Sequence, residues 1–313
     1  MKNNTLLKMF SKNLLDKIRQ SRLDLLIYGI FFLMLLYVNG YLMIFIKTEL
    51  LIDHILDAGI NYDAFRDIRI TNDNLEQARQ KVDKLINRHP QLEQYSYIDA
   101  TAFITFSMLA RDYDLINHKV IDEKLFLKGI GRLVATESFK ELYEYYKAIL
   151  SDLMYFPVPK LASGEADISF SDTWFNARHY GGIRRHEGTD LMASNNIRGF
   201  FPIISITDGV VENMGWLEKG GYRVGVRSTS GSYFYYAHLS SYAPELKEGD
   251  MVIAGQLLGF MGDSGYGPEG TIGQFDVHLH LGIYVDSVFG ELSVNPYWIL
   301  KILEDKRITY KSN

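Results

Sequence analysis

Five of the eight histidines in this 313-residue chain fall between residues 179 and 280, and four of them sit in three short motifs. The first is His186-Glu187-Gly188-Thr189-Asp190. An imidazole and a carboxylate four residues apart, with a glycine between them that lets the backbone turn, can both reach one cation. A helical H-E-x-x-H pair is excluded, because position 190 is Asp and the surroundings are β-like. The second motif, His278-Leu279-His280, lies inside the strand-like run DVHLHLGIY. A period of two puts both imidazoles on one face and Val277, Leu279 and Leu281 on the other, packed side. Two imidazoles so placed suit a shared metal, or one ligand beside one base. The third, Tyr236-Ala237-His238-Leu239, ends an aromatic strand and adds one more imidazole.

The chain has no cysteine, which excludes disulfides, thiolate-held zinc, iron–sulfur centres and thiol nucleophiles. Any metal must be held by His and carboxylate. Two His and one carboxylate form a common set for catalytic zinc and leave a fourth position open for water. With His186, Asp190 and one imidazole of the His-Leu-His pair on the metal, the other imidazole and His238 remain beside it. One can take a proton from the attacking water, and the other can donate to the oxyanion that forms on a carbonyl.

The ordered motifs HEGTD, YAHLSSY, KEGDMVIAGQLLGFMGDSGYG and HLHLGIY make the chain resemble the lysostaphin-type, LytM-like zinc endopeptidases that cut peptidoglycan peptides. The resemblance covers about residues 181–298. It implies that His186, Asp190 and His280 bind zinc (Zn2+) and that His278 and His238 are catalytic, so it is the resemblance that selects His280 over His278 as ligand. It also implies an antiparallel, two-sheet, sandwich- or barrel-like β domain. One departure stands out: PEGTIGQFDV intervenes after Gly267, where the family has a shorter lead into H-x-H. These residues are expected to enlarge a loop at the cleft rim. Asp276 and His179 lie near the site in sequence and are expected in exposed loops.

The elements that must position these residues are legible from glycine and proline usage. Residues 48–154 hold three glycines and one proline, whereas 21 of the 26 glycines follow residue 154. Asn74 to His89 has apolar residues at helical spacing and is stopped by Pro90. AFITFSMLARDY and EKLFLKGIGRLV suggest further helices, and Thr136 is placed to cap ESFKELYEYYKAILSDLMY. No chemistry is visible in this helical region, and its His54, His89 and His118 stand isolated. Pro157 and Pro159 mark the boundary to the β domain, 155–313, where short strand-like runs alternate with turn residues. Tyr233 to Tyr236 should alternate between core and groove.

Upstream, Leu25 to Ile46 is a stretch of 22 residues without a charge. As a helix it would be about 33 Å long, enough for a bilayer core of about 30 Å. A signal peptide would have a shorter apolar run and a small-residue cleavage site, whereas Lys47, Thr48 and Glu49 follow here. Residues 1–24 carry six cations against Asp16 and Asp24, so the positive-inside rule puts this tail in the cytoplasm and everything after Lys47 outside. The net charge of −5 therefore conceals a cationic end and an acidic body, and such a body gives no support to a nucleic-acid partner, so none is expected. The expected organisation is a tail (1–24), a membrane span (25–46), a helical spacer or regulatory region open to a protein partner (48–154) and the β domain (155–313). The expected function is hydrolysis of cell-wall peptides at the membrane's outer face. The alternative is a non-catalytic scaffold of the same fold, which would be marked by loss of zinc-site residues; none is lost.

Overall fold

The computed structural model describes Lys2 to Tyr310, with side chains from Lys17 onward except that of Ile18. The side chains of Lys2, Lys8 and Lys12 in the expected tail, and residues 311–313 of the expected β domain, lie outside the described residues. The chain divides into two compact units, residues 1–57 and 58–313.

The first unit is a single helix, α1 (Lys2–Asp57). Every residue from Leu25 to Ile46 is exposed, so the stretch is not the core helix of a soluble domain. Its one amide side chain, Asn39, donates to the Leu35 carbonyl at 2.9 Å, and Thr48 just beyond donates to Ile44 O at 2.8 Å. Polar groups returned to the helix's own backbone in this way are compatible with an apolar surrounding.

In the second unit, helices α2 (Tyr62–Asp67), α3 (Asn72–Arg88), α4 (Ala100–Ala110), α5 (Glu123–Leu133) and α6 (Glu137–Leu150) precede the strands. Their starts are written in the sequence: Thr71, Asp99, Asp122 and Thr136 each accept a backbone N–H of the first turn. The apolar stripes meet in a core of Phe65, Phe103, Phe106, Phe126 and Tyr146, all essentially inaccessible, with Phe103 stacked on Phe126 at 4.2 Å.

Ten strands form one branched sheet, antiparallel throughout: β1 (Ile168–Phe170), β2 (Thr189–Ala193), β3 (Pro202–Ile204), β4 (Gly209–Leu217), β5 (Gly221–Ser228), β6 (Tyr233–Tyr242), β7 (Met251–Val252), β8 (Leu257–Met261), β9 (His278–Ser287) and β10 (Gly290–Val294). The order along the main path is β7-β4-β5-β6-β9-β2-β1. The sheet branches where β8 bridges β6 and β3, and where β10 extends the far half of β9. Helix α7 (Pro296–Leu303) closes the chain's core. The expected antiparallel β domain after residue 155 is thus present. The helices do not stand apart from it: Asn295 N donates to Arg66 O at 2.7 Å, and Asn295 Nδ2 to Asp67 at 2.9 Å, tying α2 to the end of β10.

Candidate metal centre and cleft

Three adjacent strands bring the motifs together. In the register of β9 with β2, His280 lies opposite Asp190, and on its other side β9 pairs with β6, where His280 faces Ala237. Alternation sends Leu279 and Leu281 into the core with Val277, as the spacing requires, and leaves His278 and His280 on the cleft side. The segment before β2 carries His186, whose N–H and C=O pair with Asn176 O and Phe175 N.

The side chains of His186, Asp190 and His280 converge. His186 Nε2 is 3.1 Å from Asp190 Oδ1 and 3.0 Å from His280 Nδ1, and His280 Nδ1 is 3.0 Å from Asp190 Oδ1. Among the described residues this is the group of His and carboxylate atoms near enough to share one ion. Its nearly equilateral triangle fits the chemistry of zinc, since donors about 2.0 Å from a tetrahedral ion lie about 3.3 Å apart.

The protonation pattern also fits. Burial pushes the Asp190 carboxyl up, but hydrogen bonds from His186 and His280 and the nearby His charges prevail and hold it far below the usual carboxylate range. Burial lowers His280, against the pull of Asp190, and lowers His238 further with the help of His278 and His280. A carboxylate that stays anionic beside an imidazole, His280, that resists protonation is what a metal requires.

The surrounding groups orient the donors. His186 Nδ1 lies 3.2 Å from the Thr173 carbonyl, 3.0 Å from the Thr173 hydroxyl and 3.0 Å from Arg178 Nη2; with its proton on Nδ1, donated to the carbonyl, the ring aims the Nε2 lone pair into the triangle, whereas Nδ1 accepting from Arg178 would not. Arg178 donates from Nη2 to Asp190 Oδ2, which leaves Oδ1 for the triangle. The strand pair Ala177–Arg178 and Arg184–Arg185 carries Arg178 to this position. Neither Thr173 nor Arg178 was found by reading the sequence, because a short hairpin and not a local spacing brings them there.

Gly188 is required for a different reason from the one its sequence position suggests. It is absent from the residues with positive φ, so no special turn is involved. A Cβ there would lie 2.3 Å from His280 Cε1 and 2.7 Å from the Leu281 carbonyl oxygen. The glycine makes room for the His280 ring against the backbone.

His278 and His238 flank the triangle. His278 Nε2 is 3.7 Å from Asp190 Oδ1, and the two flanking rings are 4.7 Å apart. His278 Nδ1 donates to Asp276 O and His238 Nδ1 to Ser264 O, each at 2.7 Å, so in the neutral form of either ring Nε2 is the acceptor. His238 reaches the cleft through an irregularity. Phe234 and Tyr236 are fully buried while Tyr233 and Tyr235 line the cleft, so strict alternation would turn residue 238 inward. Instead β6 shifts register against β5 and His238 adopts φ +64°, which re-aims its ring.

The inserted loop does more than enlarge the rim. Its Phe275 packs 4.6 Å from His238 and 5.0 Å from His278, and Tyr266 packs on Phe275. Gly273 N donates to Asp263, which Arg198 grips with two nitrogens, and this fixes the loop. Asp276 and His179 are exposed as expected, although the Asp276 carbonyl orients His278. The site opens into a cleft of about 1160 Å³.

Residues 184–296 match the family described as Peptidase family M23. An L-Ala–D-Glu endopeptidase of Bacillus subtilis is 42% identical over 166 residues, which are 53% of this chain and 48% of the relative. Glycyl-glycine endopeptidase ALE-1 of Staphylococcus capitis is 31% identical over 102 residues, 32% of this chain and 26% of that protein. The chain thus spans about half the length of the Bacillus relative and about a quarter of the staphylococcal one. A solved structure from Ruminococcus gnavus, described as a candidate glycyl-glycine endopeptidase LytM, superposes with a TM-score of 0.66 at 39% identity. The match covers 84% of this chain and 99% of that one.

Proposed function

The chain belongs to peptidase family M23, and from that premise we propose that it is a membrane-anchored zinc endopeptidase acting on the peptides of peptidoglycan. The observation that carries the reading is the triangle of His186 Nε2, Asp190 Oδ1 and His280 Nδ1, with the acceptor atoms of two oriented imidazoles beside it. The names of the relatives, an L-Ala–D-Glu and a glycyl-glycine endopeptidase, support a wall-peptide substrate. An open cleft suits an extended polymer better than a closed pocket would.

Zinc held by His186, Asp190 and His280 would supply Lewis acidity toward the scissile carbonyl and the attacking water. Arg178, Thr173 and Gly188 keep the three donors in place. The Nε2 of His278 or His238 accepts the proton of the attacking water, and the imidazolium so formed returns it to the leaving amine. Since both Nδ1 protons are held by backbone carbonyls, neither ring can donate to an oxyanion from Nε2 until it has taken up a proton. Phe275 packs against both rings and limits their movement.

The exposed apolar stretch of α1 supports a membrane span at 25–46, and the cationic residues before it support an outward catalytic domain. In this reading 1–24 is the cytoplasmic tail and 155–313 the catalytic domain, while 48–154 is the region through which spacing, regulation or a protein partner acts. The test is digestion of purified peptidoglycan by the full chain in detergent, with and without zinc. Zinc-dependent clearing and new amino termini in the released fragments are expected. Intact peptides after loading to one zinc per chain would overturn the reading in favour of a scaffold.

A further inference from the structure

The cleft beside the metal triangle holds more positive charge than its own carboxylates use. Each lining carboxylate is engaged: Asp190 with Arg178, Glu187 with Arg66, Glu291 with Arg227 and Asp276 with Asn196. On the cationic side, Arg184, Lys219 and Arg223 form no ion pair among the described residues. Arg184 Nη2 donates to the Tyr266 hydroxyl at 3.2 Å, but its Nε is buried without a hydrogen-bond partner, and so is Nη1 of Arg223. Those two nitrogens are closed to solvent, but both guanidinium groups line the cleft with no carboxylate among the described residues to neutralise them, which suits an acidic group carried by the ligand.

Both guanidinium groups act on one phenol. Burial raises the Tyr235 hydroxyl, and the charges of Arg223 and Arg184 oppose that rise. The Tyr235 ring is 6.1 Å from the His280 ring, and its hydroxyl lies against Gly220, whose carbonyl accepts from His238 N. Arg184 holds the hydroxyl of Tyr266, whose ring is 6.1 Å from the His238 ring, and Arg223 falls in the register shift of β5 against β6 between the Tyr222–Leu239 and Val224–Tyr236 pairs, so the cationic pair lies at the end of the cleft nearer His238. An extended peptide advances about 3.3–3.6 Å per residue, so a group bound there belongs to a residue next to the scissile bond or one further on.

We propose that Arg184 and Arg223 form a carboxylate subsite, making the enzyme selective for peptides that carry a free internal carboxylate beside the scissile bond. The proposal rests on the reading of the cleft as a peptidase site and deepens it by naming the substrate class. Guanidinium groups favour carboxylates because their planar N–H pairs match the two oxygens. Uncharged bridges of glycine would leave both groups unpaired and should be poor substrates.

The test uses the zinc-loaded full chain and four synthetic peptides: an L-Ala–γ-D-Glu peptide with its α-carboxylate free, the same peptide with that carboxylate amidated, the same peptide with only its C-terminus amidated, and pentaglycine. The free acid should be cleaved with the highest kcat/KM, at least about 10-fold above the internal amide. Arg223→Gln and Arg184→Gln should each lose about 10- to 100-fold on the acid, mostly in KM, and little on the amide, so that the preference collapses. Arg223→Lys should recover part of it. Equal losses on acid and amide, or no loss, would overturn the subsite. A preference abolished by amidating only the C-terminus would overturn the internal assignment. Should wild type cleave none of the peptides, the peptidase reading fails on its own, and equilibrium binding still decides the subsite. Tighter binding of the acid than the amide, lost in Arg223→Gln, supports it, and equal binding overturns it.

Discussion

Arg66, on helix α2, lies 2.8 Å from Glu187, the residue that follows the metal-site His186. The same guanidinium donates to the carbonyl and the hydroxyl of Ser293 on β10, and it covers the Phe175 ring at 4.8 Å. Phe175 N pairs with His186 O, so the helical region reaches the metal site through one side chain. Removing Arg66 leaves the Ser293 carbonyl unpaired and frees Glu187 beside His186, a loss of about 1–3 kcal/mol for a charged hydrogen bond of limited exposure. Arg66→Ala should therefore weaken zinc binding about 10-fold or more in a chelator competition, with the helices still folded by circular dichroism. An unchanged zinc affinity would show that α2 does not support the site.

Gly188→Ala should abolish zinc binding even though it touches no donor atom directly. The new methyl meets His280 and the Leu281 carbonyl, and a backbone neighbour cannot swing aside. Elemental analysis of the purified variant should find much less than one zinc per chain. A variant that retains full zinc would mean that β2 and β9 separate easily.

Alanine at His186, Asp190 or His280 should remove zinc. At His278 or His238 it should leave zinc bound and lower kcat by about 100- to 10,000-fold, the range of a positioned proton-transfer group. Zinc stoichiometry measured beside kcat separates the two groups. Loss of the metal from His238→Ala would sink the division of roles.

Chelation should destabilise the unit 58–313. Zinc at 100 to 1,000 times its Kd adds about 2.7–4 kcal/mol to a fold that binds it only when native. For a unit of this size that is about 5–15 °C in Tm. The shift should appear in calorimetry with and without chelator and vanish in Asp190→Ala. A chelator-induced shift of equal size in that variant would locate the stabilising ion elsewhere.

Phe275→Ala should lower kcat by about 10-fold without releasing zinc, because the ring packs on both flanking imidazoles and on no donor of the triangle. Single-turnover rates with zinc content measured on the same sample would check this. An unaltered rate would return the inserted loop to a role at the rim alone.

Much of this site was legible as residue types at fixed spacings. The period of two in His278-Leu279-His280 is a local property of extended backbone, and the core-facing Leu279 and Leu281 obey it. The cap at Thr136 is local as well, since a hydroxyl needs only the next turn's N–H, whereas the helix read from Asn74 starts two residues earlier, capped by Thr71. His238 was different. The same alternation that places Tyr236 in the core would have buried it, and only the register shift between β5 and β6 turns it to the cleft. Arg178, Thr173 and Arg66 carried no signal at all, because their partners lie 8 to 227 residues away along the chain.

By itself, then, the sequence determined the donor chemistry, the apolar stretch before it and the local elements, all of which depend on neighbours within a few residues. The tertiary structure decided which atoms meet. Strand register set Asp190 against His280, a strained backbone at residue 238 completed the pair of flanking imidazoles, and a helix distant in sequence braced the loop of His186. Such contacts depend on how strands pair and helices pack across the whole unit, and no local spacing encodes that.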